Sequence, residues 1–512
     1  MVDSQKLIVV SNRLPVSLRE TDAGQWEATQ SAGGLATALD PALRHRGGTW
    51  VGWPGLADGD SDDLQSYLDQ FSKKLGYDLF PVSLSKKEVD NFYNGFSNEV
   101  IWPLFHDLFP LCNFDPAYWD AYVTVNGRFA DRVAELVNPG DLIWVHDYHL
   151  IGVASKLRAR GINNRIGFFD HIPFPMPDIF FRLPWRKSIL RAMLRYDLIG
   201  FQTTSDCNNF AQCIQMAMFD PGSPVKLGAA DAEPLPSVQA NEWISARSQE
   251  TRLAEFPISI DYKTFNEISC GSVVSRMATE LRQKYGTRKI VLGVDRLDHS
   301  KGLPNKLAAF RYALKKYPEL RGKVTLVQYV VPSREDVPEY QELRLKIERQ
   351  ISEVNGTTSE PGWIPIHYHY GFLDRDLLCA YYRTADACLI TSLKDGMNLI
   401  AKEYCAAQVE DPGVLILSEF AGAAAELQPY ARVVNPYDIE QVAESIYAAC
   451  SMEEEQRAEH MRGMQEHISS HDVFQWVDSY VEAMSAIDGD RIASVADHFH
   501  NRRSNDIGQE AA

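Results

Sequence analysis

The sequence predicts an α/β protein made of two doubly wound, Rossmann-like domains. Three observations carry this. Short apolar runs recur along the chain, continuous rather than alternating, each followed by a helix-like stretch, as parallel strands covered on both faces require. The series breaks at a polar stretch from Asp220 to Arg252, containing PGSP and EPLP, and then restarts. The length of 512 residues exceeds what a single hydrophobic core supports.

Taken in order, the first series comprises Lys6–Ser11 (KLIVVS), Asp141–Val145 (DLIWV), Arg165–Phe169 (RIGFF) and Asp197–Gln202 (DLIGFQ). The second comprises Lys289–Val294 (KIVLGV), Lys323–Val330 (KVTLVQYV), Ala387–Thr391 (ACLIT) and Gly413–Ser418 (GVLILS). The expected domains are therefore 1–257 and 258–474, with 488–512 a polar, flexible tail. In open α/β sheets ligands lie beyond the carboxyl ends of the strands, so the residues that follow each strand are the ones to inspect.

Composition narrows the function. There are 51 Lys+Arg against 69 Asp+Glu, a formal charge of −18, which argues against nucleic acid as a partner. No apolar run reaches the ~18–20 residues of a membrane span, and the first residues lack a secretory layout. The eight cysteines are scattered, with no C-x-x-C and no zinc-like spacing. A reducing, cytoplasmic location without a disulfide or structural metal is the expectation.

The strand ends carry the chemistry. KLIVVS leads to Ser11-Asn12-Arg13 and then to Ser31-Ala32-Gly33-Gly34, where paired glycines open the amphipathic stretch Leu35–Leu43 and let amides approach an anion. Asn91–Pro103 mixes Tyr93, Asn94 and Trp102, and reads either as a sugar-recognition segment or as aromatic core. DLIWV leads to His146-Asp147-Tyr148-His149, and RIGFF to Asp170-His171, polar clusters that are costly to bury unpartnered. In the second half, Arg296 and Lys301 with Gly302 form a local cationic pocket in an acidic chain, suited to a diphosphate. Arg334 follows another strand. Asp395-Gly396 precedes a helix whose first turn can hold phosphate, with Glu403 placed to accept from ribose hydroxyls. No G-x-G-x-x-G or G-x-x-x-x-G-K-[ST] occurs, which counts against a nicotinamide oxidoreductase.

These motifs run in order over residues 6–485: VVSNR, SAGGL, GTWVGW, FYNGFSN-x-x-x-WP, WVHDYHL, NNRIGFF-x-HIPFP, DRLD-x-SKGL, PSRED, KDGMNL-x-AKEY, LSEFAGAA and VNPYD. In them the chain resembles the trehalose-6-phosphate synthases, retaining glycosyltransferases of the GT-B type with two Rossmann-like domains facing a cleft. The resemblance implies transfer of glucose from a nucleotide donor, typically UDP-glucose, to glucose 6-phosphate. The first domain would take the acceptor and the second the nucleotide sugar. Residues 475–487 would form a last helix crossing back to the first domain. Arg296 and Lys301 would bind the donor diphosphate, with Gly34 approaching it. Leu399, Ile400, Ala401 and Lys402 would present main-chain amides, Glu403 would hold the ribose, and Leu373 would contact the uracil through its backbone. Asp147, His171 and Asp395 would grip the donor glucose. Arg13 and Arg334 would clamp the acceptor phosphate, with Trp53, Tyr93 and Trp102 shaping the acceptor pocket and Asp147 beside it.

The resemblance further implies front-face attack, with Arg296, Lys301, His171 and Asp147 the catalytic set. Arg and Lys stand in for a cation, so no metal or other cofactor is required. Oligomeric state stays open, a homo-oligomer included. Three departures stand out: Asp170, adding a charge beside the donor site, Ser259 in FPISID where glycine is usual, and His299 in DRLDHSKG where tyrosine is common. The recognisable pattern ends near residue 487, so no fused phosphatase domain is expected. Two further readings are weighed. A glucosylglycerol-phosphate synthase would use glycerol 3-phosphate, but SNR, SAGGL and PSRED follow the trehalose pattern. A non-catalytic regulatory subunit would show eroded site residues, whereas these are intact.

Overall fold

A computed structural model describes residues 5–20, 26–30, 34–57, 62–219, 243–246, 249–335, 337–410 and 412–487. Two units emerge. One takes in the chain up to Phe256 and again from Trp476; the other runs Pro257–Gln475.

The first unit contains β1 (Leu7–Arg13), a hairpin of β2 (Val16–Glu20) and β3 (Trp26–Gln30), β4 (Thr49–Trp53), β5 (Asp78–Pro81), β6 (Leu142–His146), β7 (Ile166–Phe169), β8 (Leu198–Phe201), β9 (Trp243–Ala246) and β10 (Gln249–Glu255). Its eight-stranded sheet has the order β5-β4-β1-β6-β7-β8-β10-β9. All neighbours are parallel except β9 and β10. The central strands are apolar on both faces because both faces are covered: Leu7–Val10 of β1 and all of β6 and β7 are buried. The chain winds outward from β1 through β4 to β5, then resumes on the other side of β1 with β6, so the topological switch lies between β1 and β6.

The polar stretch Asp220–Arg252 is not loop throughout, contrary to expectation. Trp243–Ala246 and Gln249–Glu255 form an antiparallel pair, and β10 extends the sheet beside β8. Residues 220–242 lie outside the described part, as do the expected tail 488–512 and Ser31–Gly33.

The helix Val473–Ser485 supplies Trp476 and Tyr480 to this unit. The Tyr480 hydroxyl donates to the carbonyls of Phe168, at 2.9 Å, and Leu198, at 3.3 Å. Its ring stacks on Trp144 at 4.3 Å, and the Trp476 indole donates to the Phe256 carbonyl at 3.0 Å. A tyrosine this deep in a sheet has to satisfy its hydroxyl, and two strand carbonyls do so.

The second unit holds β11 (Lys289–Arg296), β12 (Val324–Val331), β13 (Ile366–Tyr370), β14 (Ala387–Ile390), β15 (Val414–Ser418) and β16 (Arg432–Val434) in the order β13-β12-β11-β14-β15-β16, all parallel. Here the switch lies between β11 and β14. Both units are thus doubly wound α/β sheets, and each has one crevice position at its strand ends where a ligand is expected.

Candidate active site

In the first unit the strand ends of β4, β1, β6 and β7, four adjacent strands, present Trp53, Arg13, Asp147 and His171. Arg13 ends β1 just after a register irregularity, pairing with Trp53 of β4. Ser11 pins that bulge: its hydroxyl accepts from the Trp50 indole at 2.8 Å and donates to the Arg13 carbonyl at 2.7 Å. The Arg13 guanidinium lies 4.6 Å over the Trp53 ring. Gly55, at φ 95°, lies against it as well, and a Cβ there would overlap the guanidinium. This enclosure lowers the arginine's pKa through desolvation, Tyr93 opposing, even though the residue as a whole keeps an exposed edge. It stays a cation, because guanidinium does not deprotonate in proteins.

Tyr93 sits on a 13-residue π-helix, Val89–Ile101, 5.7 Å from Trp53 and stacked on His149 at 5.9 Å. Part of the segment is aromatic core, one of the two readings its composition left open. Phe92, Phe96, Val100 and Ile101 are buried in the core, while Tyr93 is half-buried beside Arg13. Asn94 is exposed and bonds Asp90. Trp53 and Trp102 are both buried: Trp53 donates to the Leu56 carbonyl, and Trp102 stacks on His106 at 4.1 Å.

Asp147 follows β6 with φ 75°, a conformation a non-glycine residue holds only under constraint. Its Oδ1 accepts from the His171 amide at 3.4 Å, and its Oδ2 lies 3.8 Å from His149 Nδ1. The His171 ring meets His146, Nε2 to Nδ1, at 3.1 Å. Burial lowers the pKa of His171 to about 3 and that of His146 well below its ordinary value, so both rings are neutral. Asp170 corrects an expectation. It is fully buried, and neither carboxyl oxygen has a well-formed hydrogen bond among the described residues. Burial, then Asp147 and Asp206, push its pKa well above the usual carboxylate range, the Ile172 amide offsetting only part. Its environment therefore favours the neutral carboxyl over an added charge.

The second unit repeats the pattern on β13, β12, β11 and β14, whose ends carry Leu373, Arg334, Arg296 and Asp395. Arg296 is the exposed last residue of β11. The turn after it is tightly tied. Asp298 accepts from the Ser300 amide at 2.9 Å and pairs with Arg334 at 3.3 Å. Gly302 takes φ 64° where a Cβ would overlap the Thr391 carbonyl. Lys301 is nearly buried and pairs with Asp395 Oδ2 at 2.5 Å, across the switch between β11 and β14. Ser392 and Asn398 donate to the same oxygen. Arg334, at φ 51°, also contacts the Tyr340 hydroxyl and lies over that ring at 5.2 Å. His299 meets Tyr340 edge-on at 5.5 Å.

The helix Leu399–Ala407 starts at Asn398, whose side chain accepts from the Ala401 amide. That corrects the expected set of free amides. The Ala401 amide is spent on the cap, and the Lys402 amide is the first to bond back within a helix beginning at Leu399. Leu399 and Ile400 remain as the first-turn amides the cap does not use. The Lys402 side chain is buried, paired with Glu426 at 2.7 Å and bonded to the Ile258 carbonyl at 2.9 Å. Glu403 accepts from the Tyr382 hydroxyl through Oε2 at 2.9 Å, and burial raises its pKa. Leu373 is half-buried between exposed Phe372 and Asp374. Gly34 opens the helix Gly34–Arg46 and is exposed. Ser259 is buried with its hydroxyl unpartnered among the described residues. No group of three or more His, Cys, Asp or Glu among the described residues is placed to hold a metal ion, and no described helix is long and apolar enough to cross a membrane.

Residues 5–486 match glycosyltransferase family 20. The chain belongs to that family.

Among family 20 relatives, "Alpha,alpha-trehalose-phosphate synthase [UDP-forming] A" of Dictyostelium discoideum is 39% identical over 482 residues, 94% of this chain. The chain spans 63% of that relative's length. A solved structure, "Trehalose-6-phosphate from E. coli bound with UDP-2-fluoro glucose", is 35% identical with TM-score 0.81, covering 94% of this chain and 100% of that one. A second, an alpha,alpha-trehalose-phosphate synthase (UDP-forming) from Burkholderia xenovorans in complex with glucose-6-phosphate, is 34% identical with the same TM-score and coverage. This chain thus belongs to glycosyltransferase family 20 and has the fold of those structures.

His146, Tyr340 and Asn398 have contacts at these strand ends that their place in the chain alone does not give. His146 was visible only as one polar residue of a cluster. Its pairing with His171 depends on the register of β6 with β7, which places residue 146 beside residue 169. Asn398 was legible as an N-cap, a helix-start residue before LIAKEY.

Proposed function

We propose that this family 20 enzyme transfers glucose from UDP-glucose to glucose 6-phosphate with retention at the anomeric carbon, forming trehalose 6-phosphate and UDP. The observation that carries the reading is the Lys301–Asp395 pair at the N-terminus of Leu399–Ala407. A cation, a carboxylate and two helix amides at one switch point fit a diphosphate joined to a sugar. On entry of the donor, Lys301 turns from Asp395 to the diphosphate beside Arg296, Leu399 and Ile400. Asp395 is released to accept from glucose hydroxyls. Glu403, with Oε2 held by Tyr382, offers Oε1 to the ribose, and Leu373 meets the base through its backbone. Arg13, held against Trp53 and Gly55, takes the acceptor phosphate, Tyr93 lining the sugar. Asp147 and His171 supply further sugar contacts.

In the chemical step the anomeric C–O bond to the diphosphate breaks as the acceptor hydroxyl attacks from the same face, and that hydroxyl's proton passes to the departing phosphate oxygen. Arg296 and Lys301 stabilise the negative charge that develops on the leaving group. No metal is needed where two side-chain cations do this, so activity is expected to survive EDTA. Arg296→Ala is expected to lower kcat by about 10²–10³, the loss for one strong electrostatic stabiliser. The deciding experiment incubates the protein with UDP-, ADP- and GDP-glucose against glucose 6-phosphate and glycerol 3-phosphate and identifies the products. Trehalose 6-phosphate with UDP is the expected pair. Product with glycerol 3-phosphate alone, or none, overturns the reading.

A further inference from the structure

We infer that His146 is a positioning residue that fixes the tautomer of His171, so that His171 meets the substrate sugar through an unprotonated Nδ1, as a hydrogen-bond acceptor. The inference rests on the proposed role of His171 at the sugar.

The two rings approach edge to edge. Nδ1 of His146 and Nε2 of His171 are 3.1 Å apart, with ring centroids at 5.3 Å and 29° between the planes. Because both imidazoles are neutral, one proton lies between them, and two arrangements exist: His146 donates from Nδ1, or His171 donates from Nε2. The far side of His146 decides. Its Nε2 is buried without a hydrogen-bond partner among the described residues. The ring itself lies among aromatics, its centroid 4.4 Å from that of Trp144 and 6.4 Å from those of Phe169 and Trp476, tilted 45–46° to each. Ring faces are negative, so they attract an N–H and repel a lone pair. The proton of His146 therefore sits on Nε2, its Nδ1 is the acceptor, and His171 donates Nε2–H to it.

His171 is then left with a lone pair on Nδ1. The residue is only half-buried, and Nδ1 makes no hydrogen bond to the described residues. Such a nitrogen accepts from a sugar hydroxyl and cannot donate to one. His146 touches no substrate in this scheme; it acts through the orientation and protonation of its neighbour, as outer partners of ligating histidines do at metal sites.

Three variants and one spectrum test this. His146→Phe keeps the ring and deletes Nδ1, whereas His146→Asn retains an acceptor near the position of Nδ1. In the Phe variant kcat is expected to fall about tenfold or more, as for loss of an outer orienting partner, with KM for glucose 6-phosphate little changed. The Asn variant is expected to recover most of that loss. In 15N-histidine-labelled wild-type protein, His171 is expected to show a protonated Nε2 and an unprotonated Nδ1. A His171 protonated on Nδ1 overturns the inference, even if His146→Phe does not fold. So does a folded Phe variant with wild-type kcat. His171→Ala separates the two levels: full activity there defeats the proposed role of His171, while an inactive His171→Ala beside a fully active His146→Phe defeats only the role of His146.

Discussion

Arg13 owes its place to three neighbours. Ser11 holds the strand irregularity before it, Trp53 lies under it, and Gly55 leaves room for it. Gly55→Ala combines an overlap with the guanidinium and a left-handed backbone, and the strain costs about 1 kcal/mol or more in stability. Its sharper effect is expected in the KM for glucose 6-phosphate, raised at least several-fold while the KM for UDP-glucose stays near wild type; equal KM values for the acceptor would contradict the placement. Asp170 carries a pH prediction. Its pKa is raised in the folded protein, so its contribution to stability is fully present below the unfolded value near 4 and is lost as pH rises toward the folded value. Asp170→Asn is therefore expected to melt higher than wild type at pH 8 and to converge with it near pH 4, as followed by thermal denaturation. From sequence Asp170 read as an added charge, because a one-letter string shows ionisability but not burial. The arginines, lysine and aspartates of the site were legible because their type and position after a strand are both written in the chain. The use of the Ala401 and Lys402 amides was not, since it hinges on which residue caps the helix.

At the scale of elements, apolarity decided what could be read. KLIVVS, DLIWV and GVLILS announce buried central strands. Edge strands lack that signal: β13 is IHYHY, half-exposed, and β16 has three residues. β9 and β10 were hidden in a stretch whose prolines and glycines suggested loop. The π-helix was invisible, because i→i+5 bonding is rare and no residue type announces it. The helix Val473–Ser485 is where an element's contribution can be measured. Tyr480→Phe removes a hydroxyl shared by two strand carbonyls and is expected to cost about 1–2 kcal/mol in urea denaturation, without a change in KM. Gly167 and Gly200, where a Cβ would press on Tyr480, show how closely the sheet has been cut to that ring.

For the whole molecule, a formal charge of −18 and the two anionic substrates of the proposed reaction set a demand that local placement answers. Cations stand at strand ends of both units: Arg13 in one, Arg296, Lys301 and Arg334 in the other. Association with phosphorylated ligands is expected to weaken with added salt, since exposed Arg296 is open to screening. The architecture under it is of a different kind. Lys306 is completely buried and contacts the carboxylate of Asp295, which also accepts from Gln328 at 2.9 Å. This pair brackets the turn from Arg296 to Gly302. Dissolved counter-ions thin out the attraction between charges in water, over a Debye length of about 8 Å at physiological ionic strength, but they cannot enter the space between Lys306 and Asp295. In a brine-filled cell the enzyme would bind its substrates more weakly and still present them with an undistorted turn.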